Sequence, residues 1–334
     1  MTPVVQEETR LQGARTVASV GADLRAMLAE GALDLPSPGH GSTRQRWIAL
    51  AGWGRRDLAL ARLAEGHTDA VAILAEAHRA PAAGLLYGVW AARSGGTGAR
   101  LRQGSTGLVL DGCVRFCSGA RSLDRALVVA DAPDGTGDLL LVDVALSDGR
   151  VRGRPETWQT VAMDAADTQD VDFDDLPVDP TDIVGAPGWY SGRPGFAIGG
   201  AGVAAVWWGG ASGVLDRVIG HLPDAPDAHQ LAHLGELHAL LEASDALLGR
   251  AAAVIDASPV DDHRLTVATV RAAVERAVRE VVDRSPRMVG PAPLSRDAEL
   301  AHALADLQLY VRQHHGERDH AALGEQIVAR WRAG

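Results

Sequence analysis

One stretch of this 334-residue sequence restricts the possible folds more than any other. From Ala197 to Leu215 no residue is charged, and glycine is frequent, at positions 199, 200, 202, 209, 210 and 213. The length approaches that of a membrane-spanning helix, but glycines also let two helix backbones approach closely. The rest of the chain is patterned as a water-soluble protein, and the mean hydropathy of the whole sequence is -0.02. We therefore expect a helix buried inside a folded domain and no membrane partner.

The charge and cysteine content exclude several function classes. The chain has 32 basic and 43 acidic residues, a net charge of -11, and every basic residue is arginine. This balance argues against a nucleic-acid partner, and the lack of lysine excludes Schiff-base chemistry and a Walker phosphate loop. The first residues contain no apolar secretory segment, and Cys113 and Cys117 form no disulfide framework. We expect a cytoplasmic protein.

The spacing of apolar residues changes twice along the sequence, which predicts three domains of an α+β protein. Apolar residues follow helical spacing from about residue 16 to 79, and short apolar runs with Asp-Gly turn signals at 111–112, 134–135 and 148–149 follow. Four apolar stripes separated by prolines then cover 199–219, 228–255, 262–282 and 299–311. We predict an N-terminal helical domain (1–84), a central antiparallel β domain of six to eight strands (85–186) and a C-terminal four-helix bundle (187–334).

Local sequences at the junctions of these zones resemble the acyl-CoA dehydrogenase family of flavoproteins. Residues 110–120 (LDGCVRFCSGA) resemble the family's aromatic-x-Ser/Thr stretch, and residues 184–196 resemble the entry into its helical bundle. Residues 287–297 (RMVGPAPLSRD) are similar to the loop before the family's catalytic position. The phrase YVRQHHGERD at 310–319 is similar to members that act as flavin monooxygenases.

The resemblance implies a function and a set of site residues. It implies an FAD-dependent oxidoreductase that acts on an acyl thioester or a related small molecule and assembles as a homodimer or homotetramer. Phe116 would flank the flavin, and Ser118 would contact it. Tyr87, Val89 and Trp90 would form a flavin-contacting strand, and Gly290 would be the loop glycine. His314 stands where the family has its catalytic glutamate, so it is the candidate base.

Other interpretations of these residues stay open. Phe116 and Ser118 are also compatible with an ordinary strand end, and His314 with a surface helix. Residues 90–92 (WAA) replace the family's Thr-Glu-Pro, and residues 195–215 contain no acid. The function is therefore an acyl-CoA dehydrogenase-like oxidation, a flavin-dependent monooxygenation, or a catalytically degenerate oligomeric scaffold. No His, Cys or acid set has metal-ligand spacing, so we expect no metal.

Overall fold

A computed structural model describes residues 15–105 and 107–333, and begins with three helices. These are α1 (Val17–Ala29), α2 (Thr43–Arg56) and α3 (Leu58–Glu76). The Thr16 side chain caps α1 together with Ser19, and the Asp57 carboxylate accepts a hydrogen bond from the Leu60 N–H at the start of α3. The helical pattern predicted for the N-terminal zone is confirmed.

The strands form one mixed sheet. They are β1 (Tyr87–Trp90), β2 (Gly98–Gln103), β3 (Leu108–Cys117), β4 (Arg125–Asp131), β5 (Leu139–Ala145), β6 (Val151–Arg154), β7 (Gln169–Val178) and β8 (Ile183–Val184). Their order is β6-β7-β3-β2-β4-β5-β8, and β1 also pairs with β4. Both β1 and β2 run parallel to β4. The prediction of a purely antiparallel domain was wrong at these pairs, because turn signals report only hairpins between consecutive strands.

One predicted turn lies inside a strand. Asp111-Gly112 belongs to β3, where Gly112 has φ +117° and the pairing with β7 shifts register. A Cβ at Gly112 would lie 2.4 Å from the Gly98 carbonyl oxygen of β2. Glycine here permits a bulge and a close backbone approach instead of a hairpin. The Asp-Gly pairs at 134–135 and 148–149 do lie between strands, as predicted.

Seven helices in the described residues follow the sheet. They are α4 (Trp189–Gly192), α5 (Pro194–Gly220), α6 (Ala228–Ala257), α7 (Arg264–Val289), α8 (Pro291–Arg296), α9 (Ala298–Tyr310) and α10 (Glu317–Ala333). The four predicted bundle helices correspond to α5, α6, α7 and α9. Helix α5 is long and apolar enough to cross a membrane, but 72% of its most apolar window is buried inside the protein. The expectation of a buried helix is confirmed.

Helix α5 packs backbone to backbone against α2. A Cβ on Gly209 would lie 2.0 Å from the Ala51 carbonyl oxygen, and one on Gly213 would lie 2.3 Å from that of Arg55. From the other side, a Cβ on Gly54 would lie 2.3 Å from the Val206 carbonyl oxygen. The glycines of the uncharged stretch therefore bring the N-terminal helices into contact with the bundle.

The hydrophobic core joins the first and last helical zones. One buried cluster contains residues of α1, α2 and α3 together with residues of α5, α6, α7 and α9. A second cluster fills the sheet around Trp90 and Phe173, and a third lies between α3 and the sheet around Ile73 and Leu127. Helix gives way to strand between Glu76 and Tyr87, and strand to helix between Val184 and Trp189. The division into domains 1–84, 85–186 and 187–334 stays a prediction.

Candidate functional site

A cavity of about 580 Å³ lies where the sheet meets the helices. Its sheet side is lined by residues of β1 and β3 and of the segments that follow β1, β3 and β6: Val89, Ala91, Ala92, Phe116, Ser118, Trp158, Met163 and Thr168. Its helix side is lined by residues of α3, α4, α5 and α9 and the turn after α9: Arg62, Glu65, Gly66, Asp69, Tyr190, Val203, Leu309, Tyr310, Arg312, Gln313 and His315. The volume is in the range of small-molecule sites.

Two of the sequence-predicted residues, Phe116 and Ser118, lie in the sheet wall. Phe116 has φ +59°, in the left-handed region, and its side chain is 55% exposed. A bulky residue in this conformation costs about 1–2 kcal/mol, and such strain gathers at functional sites. Ser118 is buried, and its Oγ lies 3.0 Å from Oγ1 of Thr168. The wall therefore offers an aromatic side chain beside a pair of hydroxyls.

Only Val89 of the three residues predicted on β1 lines the cavity. Side chains alternate along a strand, so Trp90 points to the opposite face. There it is buried in the sheet core, and its Nε1 donates to the Ser118 carbonyl oxygen at 3.1 Å. Tyr87 is buried too, and its Oη accepts a hydrogen bond from the Ala82 N–H at 2.9 Å. The sequence predicted that Trp90 contacts the flavin directly. In the structure its indole lies in the sheet core and holds the Ser118 backbone instead.

His314 and Gly290 do not line this cavity. The 3₁₀ turn Val311–Gln313 ends at His314, whose backbone is extended, so its neighbours Gln313 and His315 line the cavity instead. His314 is buried, and its Nδ1 accepts a hydrogen bond from the Gly316 N–H at 3.2 Å. Burial lowers its pKa below the usual value. Gly290 ends α7 with φ +70°. Neither residue lines this cavity, although the sequence predicted a catalytic base at His314 and a flavin-contacting loop at Gly290.

His314 instead belongs to a cluster with Glu275 and His320, whose ligand-type atoms lie within 4.8 Å of one another. Oε1 of Glu275 is 2.7 Å from Nε of Arg279, and the buried Oε2 has no hydrogen-bond partner among the described residues. Because Nδ1 of His314 accepts a hydrogen bond, the neutral ring carries its proton on Nε2. A protonated Nε2 donates to carboxylates and does not bind metals, so this cluster suits hydrogen bonding better than metal binding.

The helix wall of the cavity carries ionisable groups that the sequence did not predict. On α3, Arg62 Nη1 donates to Oε2 of Glu65 at 2.6 Å, and Asp69 follows one turn later. Burial raises the pKa of Glu65 to about 7, although the Arg62 charge acts in the opposite direction. From α9, Tyr310 is buried, and its Oη has no hydrogen-bond partner among the described residues. Burial also raises the Tyr310 pKa far above its ordinary value.

A signal for these groups exists in the sequence. Arg62, Glu65 and Asp69 are three and four positions apart, so they lie on one face of a helix that otherwise consists mostly of Ala and Leu. Such a polar stripe in an apolar helix is typical of a surface helix as well. Only the packing of α3 against α5 and β1 makes it a cavity wall.

A groove of about 410 Å³ adjoins the cavity and shares Trp158 and Thr168 with it. Arg121 lines this groove, and its Nε donates to Oδ1 of Asp167 at 2.8 Å. The cavity therefore has an apolar and hydroxyl-bearing sheet wall with a polar extension, and an ionisable helix wall. This arrangement suits a planar conjugated group against the sheet and a second, smaller molecule against the helices.

Comparison with known proteins identifies the fold. Residues 187–311 match the family described as acyl-CoA dehydrogenase, C-terminal domain. This match confirms the resemblance seen in the sequence for that part of the chain. The comparison with curated protein sequences gives no match.

Solved structures extend the likeness over nearly the whole chain. TdsC from Paenibacillus sp. A11-2, a dibenzothiophene monooxygenase solved with FMN and indole, has 17% identity and a TM-score of 0.78 over 94% of this chain and 96% of its own. The methanesulfinate monooxygenase MsuC from Pseudomonas fluorescens has 15% identity and a TM-score of 0.75 over the same shares. KijD3, solved with FMN and a dTDP-linked amino sugar, has 20% identity and a TM-score of 0.77 over 92% of this chain and 86% of its own. The predicted fold class is confirmed.

Proposed function

We propose that this chain, which shares the acyl-CoA dehydrogenase fold, is a flavin-dependent monooxygenase of a small organic molecule. The observation that carries the proposal is the cavity between the sheet and α3, α5 and α9, with Phe116 and Ser118 in its sheet wall. Support also comes from similar structures that are monooxygenases or were solved with FMN. An open cavity of this size gives no support to the alternative of a catalytically degenerate oligomeric scaffold.

The residues present fit an isoalloxazine ring. Such a ring is planar, with an apolar edge and a polar edge. Val89 and Ala91 are small and apolar, Phe116 is aromatic, and the hydroxyls of Ser118 and Thr168 are buried beside them. Bound flavin would supply the activation of dioxygen and the transfer of one oxygen atom to the substrate.

The protein's own residues would position and shield the reactants. Phe116 would pack on the ring, and Ser118 would donate a hydrogen bond to the polar edge. The Trp90 Nε1–H, bound to the Ser118 carbonyl oxygen, would fix that backbone. Trp158 and Met163 would exclude water from the sheet side. Glu65 and Tyr310 would hold or accept protons on the substrate side.

The same geometry supports FMN as the form of the flavin. Among the described residues of the adjoining groove, Arg121 is the cation, and it is already paired with Asp167. One guanidinium suits a single phosphate, as in FMN. The FAD predicted from the sequence would need a second subunit to hold its adenosine end. That requirement agrees with the predicted homodimer or homotetramer, which stays a prediction, as does the cytoplasmic location.

An acyl-thioester dehydrogenase is the second candidate function. It requires a carboxylate that removes a proton from the substrate. The first acid of α5 is Asp216, near its C-terminal end, and position 314 is histidine. The carboxylate of Glu65, which lines the cavity from α3, is the observation that favours this candidate.

Flavin titration followed by rapid mixing tests the proposal. We expect the purified protein to bind FMN or FAD saturably, in the oxidised or the reduced form, as measured by the change in flavin fluorescence. Reduced flavin bound to the protein should then consume dioxygen and transfer one oxygen atom to an aromatic substrate. Failure of both flavins to bind in either redox state would contradict the proposal. Anaerobic bleaching of bound oxidised flavin by an acyl-CoA thioester would favour the dehydrogenase instead.

A further inference from the structure

We infer that the helix wall of the cavity binds a hydrogen-bond donor of the substrate, an aromatic N–H or O–H group, through Glu65, Asp69 and Tyr310. The inference deepens the proposed function, because it names the class of substrate that the same cavity binds. It rests on the proposed function only for the oxygenation of that substrate. Binding itself is a property of the cavity and is measurable without flavin.

Glu65 provides the first open acceptor. It lines the cavity although it is only 5% exposed. Its Oε2 accepts from Arg62, while its Oε1 receives no hydrogen bond from any described residue. A ligand that donates to this oxygen and excludes water from it gains binding energy, because the charge-assisted hydrogen bond then forms away from solvent.

Asp69 and Tyr310 extend the polar end of the cavity. The Asp69 carboxylate, one helical turn from Glu65, receives no hydrogen bond from the described residues, and its nearest cation is Arg46 at 3.9 Å. Tyr310 is 3% exposed, and its Oη makes no hydrogen bond of normal geometry within the described part of the chain, although the Arg62 guanidinium lies beside it and acts to lower its pKa. Buried polar groups are rarely left unpaired in native proteins. The Tyr310 Oη is such a group, and together with the carboxylates of Glu65 and Asp69 on the same wall it indicates a ligand that donates hydrogen bonds.

The cations around Glu65 donate hydrogen bonds to groups of the protein itself. The ionisable groups that face it are Arg62 and Asp69 on α3, Arg46 on α2, Tyr190 on α4, Arg271 on α7 and Tyr310 on α9. The three guanidiniums already donate within the protein. Arg62 binds Glu65, Arg46 donates to the Pro36 carbonyl oxygen, and Arg271 donates to the carbonyl oxygens of Gly200 and Gln313. Of these three arginines only Arg62 lines the cavity, so the acceptors on this wall that receive no hydrogen bond are the free oxygen of Glu65 and the Asp69 carboxylate.

The remaining lining explains why the donor should sit on an aromatic molecule. The cavity is also lined by Val203, Leu309 and the ring of Tyr190 from the helices and by Met163 from the sheet side. These side chains offer apolar contact to a flat ring and no further charge. A ring with one N–H or O–H group therefore matches both the apolar middle and the acceptors at the end.

Two ligands of the same shape test the inference. Indole carries an N–H group, and benzothiophene has sulfur at that position. Calorimetric titration of the protein, without flavin and loaded with FMN, should show indole binding about tenfold more tightly at pH 8, as expected for a charge-assisted hydrogen bond. Since Glu65 titrates near pH 7, the preference should shrink at pH 6.

Variants separate the proposed contacts from general effects. Glu65→Gln should reduce the preference for indole several-fold and abolish its pH dependence. Tyr310→Phe should reduce it with unchanged or increased thermal stability, because the hydroxyl is unpaired. Asp69→Asn, at a more exposed position, serves if Glu65→Gln does not fold. Glu76→Gln, on the same helix outside the cavity, is the control and should retain the preference of the wild type.

Several results would overturn the inference. These are equal binding of the two ligands at pH 8, no measurable indole binding, or a preference unchanged in Glu65→Gln and Tyr310→Phe. The flavin titration is independent of these results. A preference for indole without flavin binding would refute the proposed function alone, whereas flavin binding without a preference would refute this inference alone.

Discussion

At the scale of single residues, the sequence predicts some residues of the candidate site and gives no indication of others. Phe116 and Ser118 are found from the aromatic-x-Ser pattern, and both line the cavity. Trp90 occupies the predicted strand, but strand alternation turns it away. Glu65 escapes prediction, because its importance arises from burial against α9 and not from any motif. Local pattern reveals residue types, whereas burial depends on contacts distant in sequence.

The strained backbone at Phe116 gives a prediction at this scale. Glycine adopts φ +59° without penalty, and the half-exposed ring contributes little burial. Phe116→Gly should therefore leave the stability of the flavin-free protein unchanged or raise it by up to about 1 kcal/mol. The same substitution should weaken flavin binding, because it removes the aromatic wall. Urea unfolding and flavin titration measure the two effects.

The neighbouring residue provides the control. Arg115 lies in the same strand and is not among the described residues with positive φ. Arg115→Gly should destabilise the protein by about 0.5–1 kcal/mol, as glycine does in a strand interior. If Phe116→Gly destabilised the protein as much as Arg115→Gly, strain at Phe116 would be refuted.

At the scale of elements, helices were more predictable than strand pairing. The apolar stripes and prolines located the ends of α5, α6, α7 and α9 to within seven residues, because helical periodicity is a local property. The parallel pairing of β1 with β4 left no local trace, since it joins residues such as Tyr87 and Arg125 that are far apart in sequence. The glycines of α5 signalled close contact but not which helix provides it.

The α2–α5 contact predicts opposite effects for two glycine substitutions. Gly209→Ala would place a methyl group 2.0 Å from the Ala51 carbonyl oxygen, so the two helices must separate. We expect a loss of about 2–4 kcal/mol in the free energy of unfolding, the range for severe overpacking. Gly52 of α2 has no atom within 4 Å of its Cβ position. Gly52→Ala should therefore stabilise the protein by about 0.5–1 kcal/mol.

Urea unfolding of the two alanine variants against the wild type measures both changes. A Gly209→Ala protein as stable as the wild type would mean that α2 and α5 do not touch through their backbones. A destabilised Gly52→Ala protein would mean that this position is not open.

At the scale of the whole molecule, one buried histidine connects the helical part to the sheet. His67 of α3 accepts a hydrogen bond at Nδ1 from the Tyr87 N–H at the start of β1, at 3.1 Å. The residue is 4% exposed, and burial lowers its pKa to about 4. It is therefore neutral in the folded protein at pH values where the unfolded chain already binds a proton.

This histidine predicts a loss of stability in acid. Below about pH 6.5 the unfolded state gains a proton at His67 that the folded state gains only near pH 4. The contribution of this residue to the free energy of unfolding should thus fall by about 3 kcal/mol between pH 6.5 and pH 4. The raised pKa values of Glu65, about 7, and Asp306, about 6, act in the opposite direction, because the folded state binds those protons first.

A single variant isolates the contribution of His67. The carboxamide oxygen of asparagine can accept from the Tyr87 N–H, and asparagine does not titrate, so His67→Asn retains the hydrogen bond without the proton. Urea unfolding of both proteins at several pH values should show that the free energy of unfolding of the variant rises relative to that of the wild type as the pH falls, by about 3 kcal/mol in total. Parallel stability curves would contradict the assignment.

Helix α3 and strand β1 together carry opposite walls of the cavity, with Glu65 on one and Val89 on the other. Only the short segment from residue 77 to residue 86 separates them. A residue inserted into or deleted from that segment would slide one wall along the other without altering any side chain that touches a ligand. Changing the length of this segment is thus a way to alter the size of the molecule that the cavity admits.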